Sequence, residues 1–340
     1  FGRHVRHHEG HHGARCPRLG AARTHRLRCP ADARLRPAGL LLPAGPSGKR
    51  GRVPNSQMES TNLRALDVVV CLKSVPDPRC VGAITFDART LTIKKEAVPR
   101  VISPLDKNAL EEALRIREQR GGSVRVASMG SPGAAGNLRE ALALGADEVL
   151  FLSDAACAGA DTLATARALA ALIRYAGRFD LIFCGARSFY GSTGQVGAQL
   201  AELLGIAHIS HVSHLEFIAE ETVSSKSRRE NGYALVEGQL PLLASVVKEI
   251  NNPRGMSLPG IVAARSKPLR SLSCADLDLA ADEVGLAGSA TRMIRVFAPL
   301  AARQGQMLGG APLDAVPALV AELRRRGALP MLGTGAGGER

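Results

Sequence analysis

Short apolar runs alternate with helical patterns along the middle of the chain. Residues 66–72 read as a buried strand, since Val68, Val69 and Val70 follow one another without polar alternation. Residues 83–95 read as a hairpin. Residues 105–120 form an amphipathic helix pattern, with Leu110, Ala113, Leu114 and Arg117 at spacings of three and four and Gly121-Gly122 as its stop. Strands are then predicted at 124–128, 149–152 and 181–184. Helices are predicted at 134–144, 161–175 and from about 193 to 204. Near-continuous apolar strands separated by helices imply a parallel sheet covered on both faces. The fold class that follows is α/β: a doubly wound, mostly parallel, Rossmann-like sheet.

Beyond Gly205 the period changes. Residues 208–220, 222–226 and 233–239 read as antiparallel ribbons, an extension of the sheet, and 242–250 as a further strand. Residues 251–259 read as an irregular loop rich in Asn, Pro and Gly. An extended C-terminal arm is expected from Ala275, then a helix at about 313–326 and a Gly-rich tail.

Charge changes the picture at one end only. The chain has 340 residues and a net charge of +13. Residues 1–57 hold 12 of the 44 basic residues and only Glu9 and Asp32 of the 31 acidic ones, leaving a body of +3. A polyanion-binding body is therefore not implied, and an aromatic content of 3% without Trp disfavours base-stacking platforms. The first Met is Met58, and the preceding residues carry eight Gly and six Pro. We expect a disordered leader over 1–57 with Met58 as the natural start, a transit peptide being the alternative. A nucleotide-binding domain over 58–265 and an arm and tail over 266–340 would follow it. No apolar run is long enough for a membrane span.

The candidate chemistry lies where the predicted strands end, since ligands of doubly wound sheets sit beyond the carboxyl ends of the strands. Four segments qualify: Cys71 to Asp77, Ile102 to Asp106, Ser128 to Ser131, and Cys184 to Gly197. The last is a Gly/Ser/Thr loop between a strand and a helix, suited to a phosphate through free backbone N–H groups. It carries neither GxGxxG nor the Walker lysine, and a plain strand-to-helix turn is the alternative.

Other residue patterns point elsewhere. Cys16, Cys29, Cys71, Cys80, Cys157, Cys184 and Cys274 are scattered without a CxxC pair, which suggests structural thiols in a reducing compartment. The leader tract of His4, His7, His8, His11 and His12 suits only adventitious metal. His208, His211 and His214 are not expected to converge on a metal, since strand residues three apart face opposite sides. Glu111 and Glu112 share no face suited to carboxylate-pair catalysis, and no catalytic residue is expected.

In series, several segments resemble the β subunit family of electron transfer flavoproteins. They are Lys73 to Asp77, Ser103-Pro104 through Ala113, Leu138 to Asp147, Asp180 to Gly185, Thr193 to Val196, Leu240 to Leu243, Asn252-Pro253-Arg254, and Ser257 to Ile261. The resemblance spans roughly Leu66 to Arg326. It implies a heterodimer with an FAD-bearing α subunit. Such a pair carries electrons from dehydrogenases to a quinone-linked or ferredoxin-type acceptor, without nucleic acid or membrane span. It also implies an adenine nucleotide in this subunit, a second FAD or AMP. The family's nucleotide positions fall on Cys71, Ser103, Pro104, Leu105, Asp106, Met129, Gly185, Tyr190, Gly191, Ser192, Thr193, Gly194, Gln195 and Val196. A partner-recognition loop over 251–264 would present Arg254, Ser257, Leu258 and Pro259, with Leu258 as anchor.

The chain departs from the family at Ser103, usually Asn, at Tyr190 and Ser192, usually acidic, and at Gly255, usually aromatic. The family's lysine-rich run is here Val262 to Lys267. The segments at Ala158 to Thr162 and Gly288 to Thr291 resemble the anaerobic, bifurcating or nitrogen-fixation-linked branch, which favours FAD over AMP. The implied location is the cytoplasm, or the mitochondrial matrix in a eukaryote. A nucleotide-sensing module without redox function and an NAD-dependent oxidoreductase are the competing readings.

Overall fold

The computed structural model describes residues 36–41, 63–83, 86–87, 92–93, 98–295 and 305–329. In chain order the strands begin with β1 (Arg36–Leu41), β2 (Leu66–Cys71), β3 (Ser74–Pro76), β4 (Phe86–Asp87), β5 (Thr92–Ile93) and β6 (Arg100–Ile102). Then come α1 (Pro104–Arg120), β7 (Gly122–Met129), α2 (Ala135–Leu144), β8 (Glu148–Leu152), α3 (Thr162–Ala176), β9 (Leu181–Gly185) and α4 (Val196–Leu204). The rest are β10 (Ala207–Ala219), β11 (Thr222–Arg229), β12 (Gly232–Gln239), β13 (Leu242–Val246), α5 (Leu258–Ala263), β14 (Leu269–Leu272) and α6 (Pro312–Arg325).

One ten-stranded sheet runs in the order β1-β12-β11-β10-β13-β9-β2-β7-β8-β14. From β10 to β14 every neighbouring pair is parallel, while β10, β11, β12 and β1 pair antiparallel. The expected doubly wound α/β sheet with an antiparallel extension is therefore what forms. Its cause is visible in the side chains. Leu110, Leu114, Leu138 and Leu142 of α1 and α2 pack on one face with Val68 and Val70. Leu169, Ile173 and Leu200 of α3 and α4 pack on the other with Val69 and Ile182. With both faces covered, the central strands have no use for polar alternation.

The chain leaves β2 outward through β7 and β8, then returns to lay β9 against the other edge of β2. The order of strands reverses between β2 and β9, which makes that junction the switch point of the sheet.

Several boundaries differ from the sequence pattern. The strand predicted over 242–250 ends at Val246, and a 3-10 turn follows at Lys248–Ile250. The fourth helix starts at Val196, so residues 193–195 stay in the loop. Leu269–Leu272 adds an unanticipated parallel strand beside β8. Arg36–Leu41, inside the expected leader, forms an edge strand against β12, and the remainder of residues 1–57 lies outside the described residues. The hairpin expected over 83–95 is present as the two short strands β4 and β5. Cys71, Cys80, Cys157, Cys184 and Cys274 are free thiols.

The chain forms two compact units, Phe1–Ile294 and Arg295–Arg340. The second contains α6, close to the predicted helix, in which Glu322 pairs with Arg325 and Arg326. Among the described residues no helix is long and apolar enough to cross a membrane.

Phe183 of β9 is fully buried, and lies in register between Ala244 of β13 and Val70 of β2. Phe183→Ala should therefore cost about 3–5 kcal/mol of stability, because the packed layers on both sides prevent collapse of the cavity. Urea unfolding checks this, and a loss below about 1 kcal/mol would show a core that closes over the gap.

Candidate functional site

Four chain segments meet at the switch point. They are the end of β2 at Cys71, the β6–α1 junction at Ser103, Pro104, Leu105 and Asp106, the end of β7 at Met129, and the end of β9 with its following loop. The sequence-predicted crevice residues thus lie on adjoining strand ends.

Asp106 ties these ends together. It stands in the first turn of α1, after Pro104, whose missing N–H costs nothing at a helix start. One carboxylate oxygen accepts the backbone N–H of Lys73 at 2.8 Å, and the other accepts that of Gly185 at 3.0 Å. The approach is close enough to exclude a side chain at position 185. A Cβ there would stand 2.5 Å from Asp106 Oδ1 and 2.8 Å from Leu105 Cβ. Burial pushes the Asp106 pKa up to about 7, against the pull of the two N–H donors and of the Lys73 ammonium.

Ser103 extends the same junction. Its N–H donates to Lys73 O at 2.9 Å, while its Oγ is fully buried without a hydrogen-bond partner. A buried hydroxyl of that kind calls for a partner that the chain does not supply. Burial also drives up the pKa values of the neighbouring thiols, Cys71 to about 12 and Cys184 well above its ordinary value. Both stay protonated near neutrality and are not nucleophiles.

In the loop after β9, Gly191, Ser192 and Gly194 take φ values of +86°, +50° and +67°, the left-handed region. Among the described residues, no backbone N–H from Arg187 to Gly194 has a protein acceptor. Thr193 and Gln195 are exposed on this loop, and Gln195 Oε1 accepts the Thr162 hydroxyl of α3 at 3.1 Å. Val196 opens α4 behind them. Lys73, which the sequence pattern did not single out, braces the loop: its Nζ donates to Tyr190 O at 3.1 Å. The crevice opens into a cleft of about 960 Å³ lined by Ser103, Leu105, Ser192, His211, Arg228 and Lys248.

The three histidines of β10 separate. His208 meets Ser245 Oγ at 3.0 Å, His211 lines the cleft, and exposed His214 stands 3.7 Å from Glu216. Among the described residues no three His, Cys, Asp or Glu side chains group for a metal.

A second feature lies on the α1–α2 face. Residues 251–257 form the expected loop, but α5 begins at Leu258, one residue before the expected end of that loop. Ser257 caps it through Gly260 N at 3.1 Å, and Pro259 lies in its first turn. Leu258 is 80% exposed, and exposed Met256, Ile261 and Val262 surround it in sequence. The loop is held at Arg254, which binds Glu111 and Glu118 of α1. Burial raises the Glu111 pKa, but its bonds to Arg254 outweigh that and leave the carboxyl below its ordinary range. Asn108 and Glu112 hold Asn251.

Comparisons with known proteins bear on the whole body. The family model described as electron transfer flavoprotein domain matches residues 90–277. The electron transfer flavoprotein subunit beta of Thermoanaerobacterium thermosaccharolyticum is 41% identical over 262 residues, covering 77% of this chain and 99% of the relative. The caffeyl-CoA reductase-Etf complex subunit CarD of Acetobacterium woodii is 38% identical, covering 76% and 98%. The protein FixA of Azorhizobium caulinodans is 35% identical, covering 77% and 95%.

The raised Asp106 pKa sets a pH dependence. Between about pH 4 and 7 the folded chain keeps a proton that the unfolded chain has released, so wild-type stability falls as pH rises through that window. The melting-temperature difference between wild type and Asp106→Asn should move in the variant's favour from pH 4 to 7 and level off above about 8. A difference independent of pH would show that Asp106 is ionised throughout.

Proposed function

The chain belongs to the electron transfer flavoprotein family as a β subunit, and we propose that it binds an adenine nucleotide at its switch point and works as an electron carrier with an FAD-bearing α subunit. The observation that carries the nucleotide reading is the loop of unpaired N–H groups beside a buried, unpartnered Ser103 hydroxyl. The loop N–H groups and Thr193 would hold phosphate, and Ser103 Oγ would donate to the polar edge of the ligand. Gly185 and Gly194 let the backbone come close, Asp106 keeps the strand ends in place, and Cys71 and Met129 floor the crevice. Lys73 would add positive charge beside the phosphate.

An open cleft of about 960 Å³ adjoins the loop and leaves room for a ligand longer than AMP, and FAD is the reading we favour. FAD bound there would supply an electron-accepting ring, and Ser103, Thr193 and the loop N–H groups would position it. Neutral Cys71 and Cys184 take no part in electron transfer.

Dehydrogenases would reach the pair through the segment around Leu258. That side chain projects from a capped turn with most of its surface in water, and a lone apolar anchor of this kind dominates many interfaces. The electrons then pass to a quinone-linked or ferredoxin-type acceptor. We place this work in the cytoplasm.

Co-purification with the α subunit, followed by acid extraction, tests the nucleotide. We expect FAD beyond that held by the α subunit, or AMP in its place; neither would reject the site. Gly194→Val should strip that nucleotide while leaving the heterodimer assembled, because its backbone conformation and its Cβ position, 3.1 Å from Ala186 O, leave no room for a branched residue. Full occupancy in the variant would reduce the loop to a turn.

Leu258→Ala should raise the KM for a reduced partner dehydrogenase about ten- to a hundredfold, the equivalent of burying one Leu. Bound flavin and melting temperature should not move. Unchanged coupling, or coupling lost only together with stability, would reject the anchor.

A further inference from the structure

We propose that Glu111 and Glu112 of α1 are positioning residues for dehydrogenase docking: they seat residues 251–254 on the helix and so fix where Leu258 projects. The inference rests on the reading of Leu258 as the partner anchor.

Both carboxylates are buried on a helix whose neighbouring positions Leu110, Ala113 and Leu114 are core. A buried carboxylate is costly unless hydrogen-bonded, and neither lines the nucleotide crevice. Among the described residues, every hydrogen-bond partner they have outside α1 belongs to the loop, and His214 of β10 adds a longer-range attraction to Glu112. Glu111 accepts three bonds from Arg254: the backbone N–H at 3.0 Å, Nε at 2.8 Å and Nη2 at 3.2 Å. Glu118, two turns along, takes the remaining guanidinium nitrogen. Glu112 accepts Asn251 Nδ2 at 2.9 Å, which also donates to Asn108 O at 3.0 Å. Asn108 Nδ2 returns a bond to Asn251 O at 2.8 Å.

Among the described residues 251–257, the only backbone N–H with a protein acceptor is that of Arg254, and the acceptor is Glu111. Pro253 has no N–H to offer. Farther along, α5 rests on α2, where Gly260 lies so near Ala143 O that a Cβ would stand 2.3 Å from it. Leu258 therefore sits between two fixed points, the Arg254 latch and the Gly260 contact. Loosening the first leaves the segment hinged on the second. The partner would then pay an ordering cost on docking that the latch removes in advance.

The test uses the intact heterodimer and the variant Glu111→Gln, which keeps the shape and removes the charge. Amide hydrogen exchange at Arg254, whose N–H is the one bonded amide of the loop, should quicken about ten- to a hundredfold, the effect of losing charge-assisted hydrogen bonds. Exchange in α1, β2 and the nucleotide loop should stay as in wild type. Exchange unchanged in the loop, or quickened equally in α1 and β2, overturns the proposal.

Kinetics with a partner dehydrogenase reduced by its own substrate give the second readout. Glu111→Gln should raise KM without lowering kcat or flavin content. Combined with Leu258→Ala it should add nothing further, since a seat without its anchor has no work left. Effects that multiply overturn the proposal. An unchanged KM for Leu258→Ala alone rejects the anchor reading instead, and the exchange measurement then decides on Glu111 by itself. Arg254→Gln, which leaves α1 intact, gives the same local exchange signature where Glu111→Gln fails to fold.

Discussion

A single buried carboxylate holds the functional end of this sheet together. Asp106 accepts one backbone N–H from beyond β2 and one from the end of β9, the two strands between which the chain reverses direction. Parallel strands that meet at a switch point diverge as they leave the sheet, and their last N–H groups have no ladder partner. Asp106 closes that gap from the first turn of α1, where a negative charge also meets the positive end of the helix dipole. The crevice, the glycine at 185 and the loop beyond it all take their positions from this one side chain. Its environment is opposed to its charge, since burial raises its pKa while every hydrogen bond it makes favours the anion.

The same helix serves the other face of the molecule with the opposite economy of exposure. Glu111 and Glu112 are as buried as Asp106, yet they look away from the crevice and toward residues 251–254. One helix thus organises the crevice at its start and the seat of residues 251–254 along its flank. The segment that follows this seat carries exposed Met256, Leu258, Ile261 and Val262.

Much of this arrangement was legible in the residues. Valine runs such as Val68 to Val70 announce two-sided burial, and Gly121, Gly145 and Gly205 close helices where the structure closes them. The strand ends then locate Cys71, Ser103, Met129 and Gly185 beside one another by topology alone. The seat of the docking loop was not legible. Glu111 and Glu112 are adjacent in sequence, and only the arrival of a segment 143 residues away shows what they hold. β14 was hidden for a similar reason: Leu269–Leu272 carries Arg270 and Ser271 on an edge, where one side faces water and the apolar run is broken. The strand at Arg36–Leu41 was masked by its Gly- and Pro-rich surroundings, since edge pairing tolerates residues that a central strand refuses.

Because α1 is unbroken from Asp106 to Glu118, the helix also behaves as a ruler. At about 1.5 Å per residue it separates the crevice hub from the far end of the latch by about 18 Å. Inserting or deleting one residue between them would rotate every later side chain by about 100° around the axis. The carboxylates would then point into the core or the solvent while Asp106 stayed in place. Length, more than surface composition, is the property of this helix on which both ends of the arrangement depend.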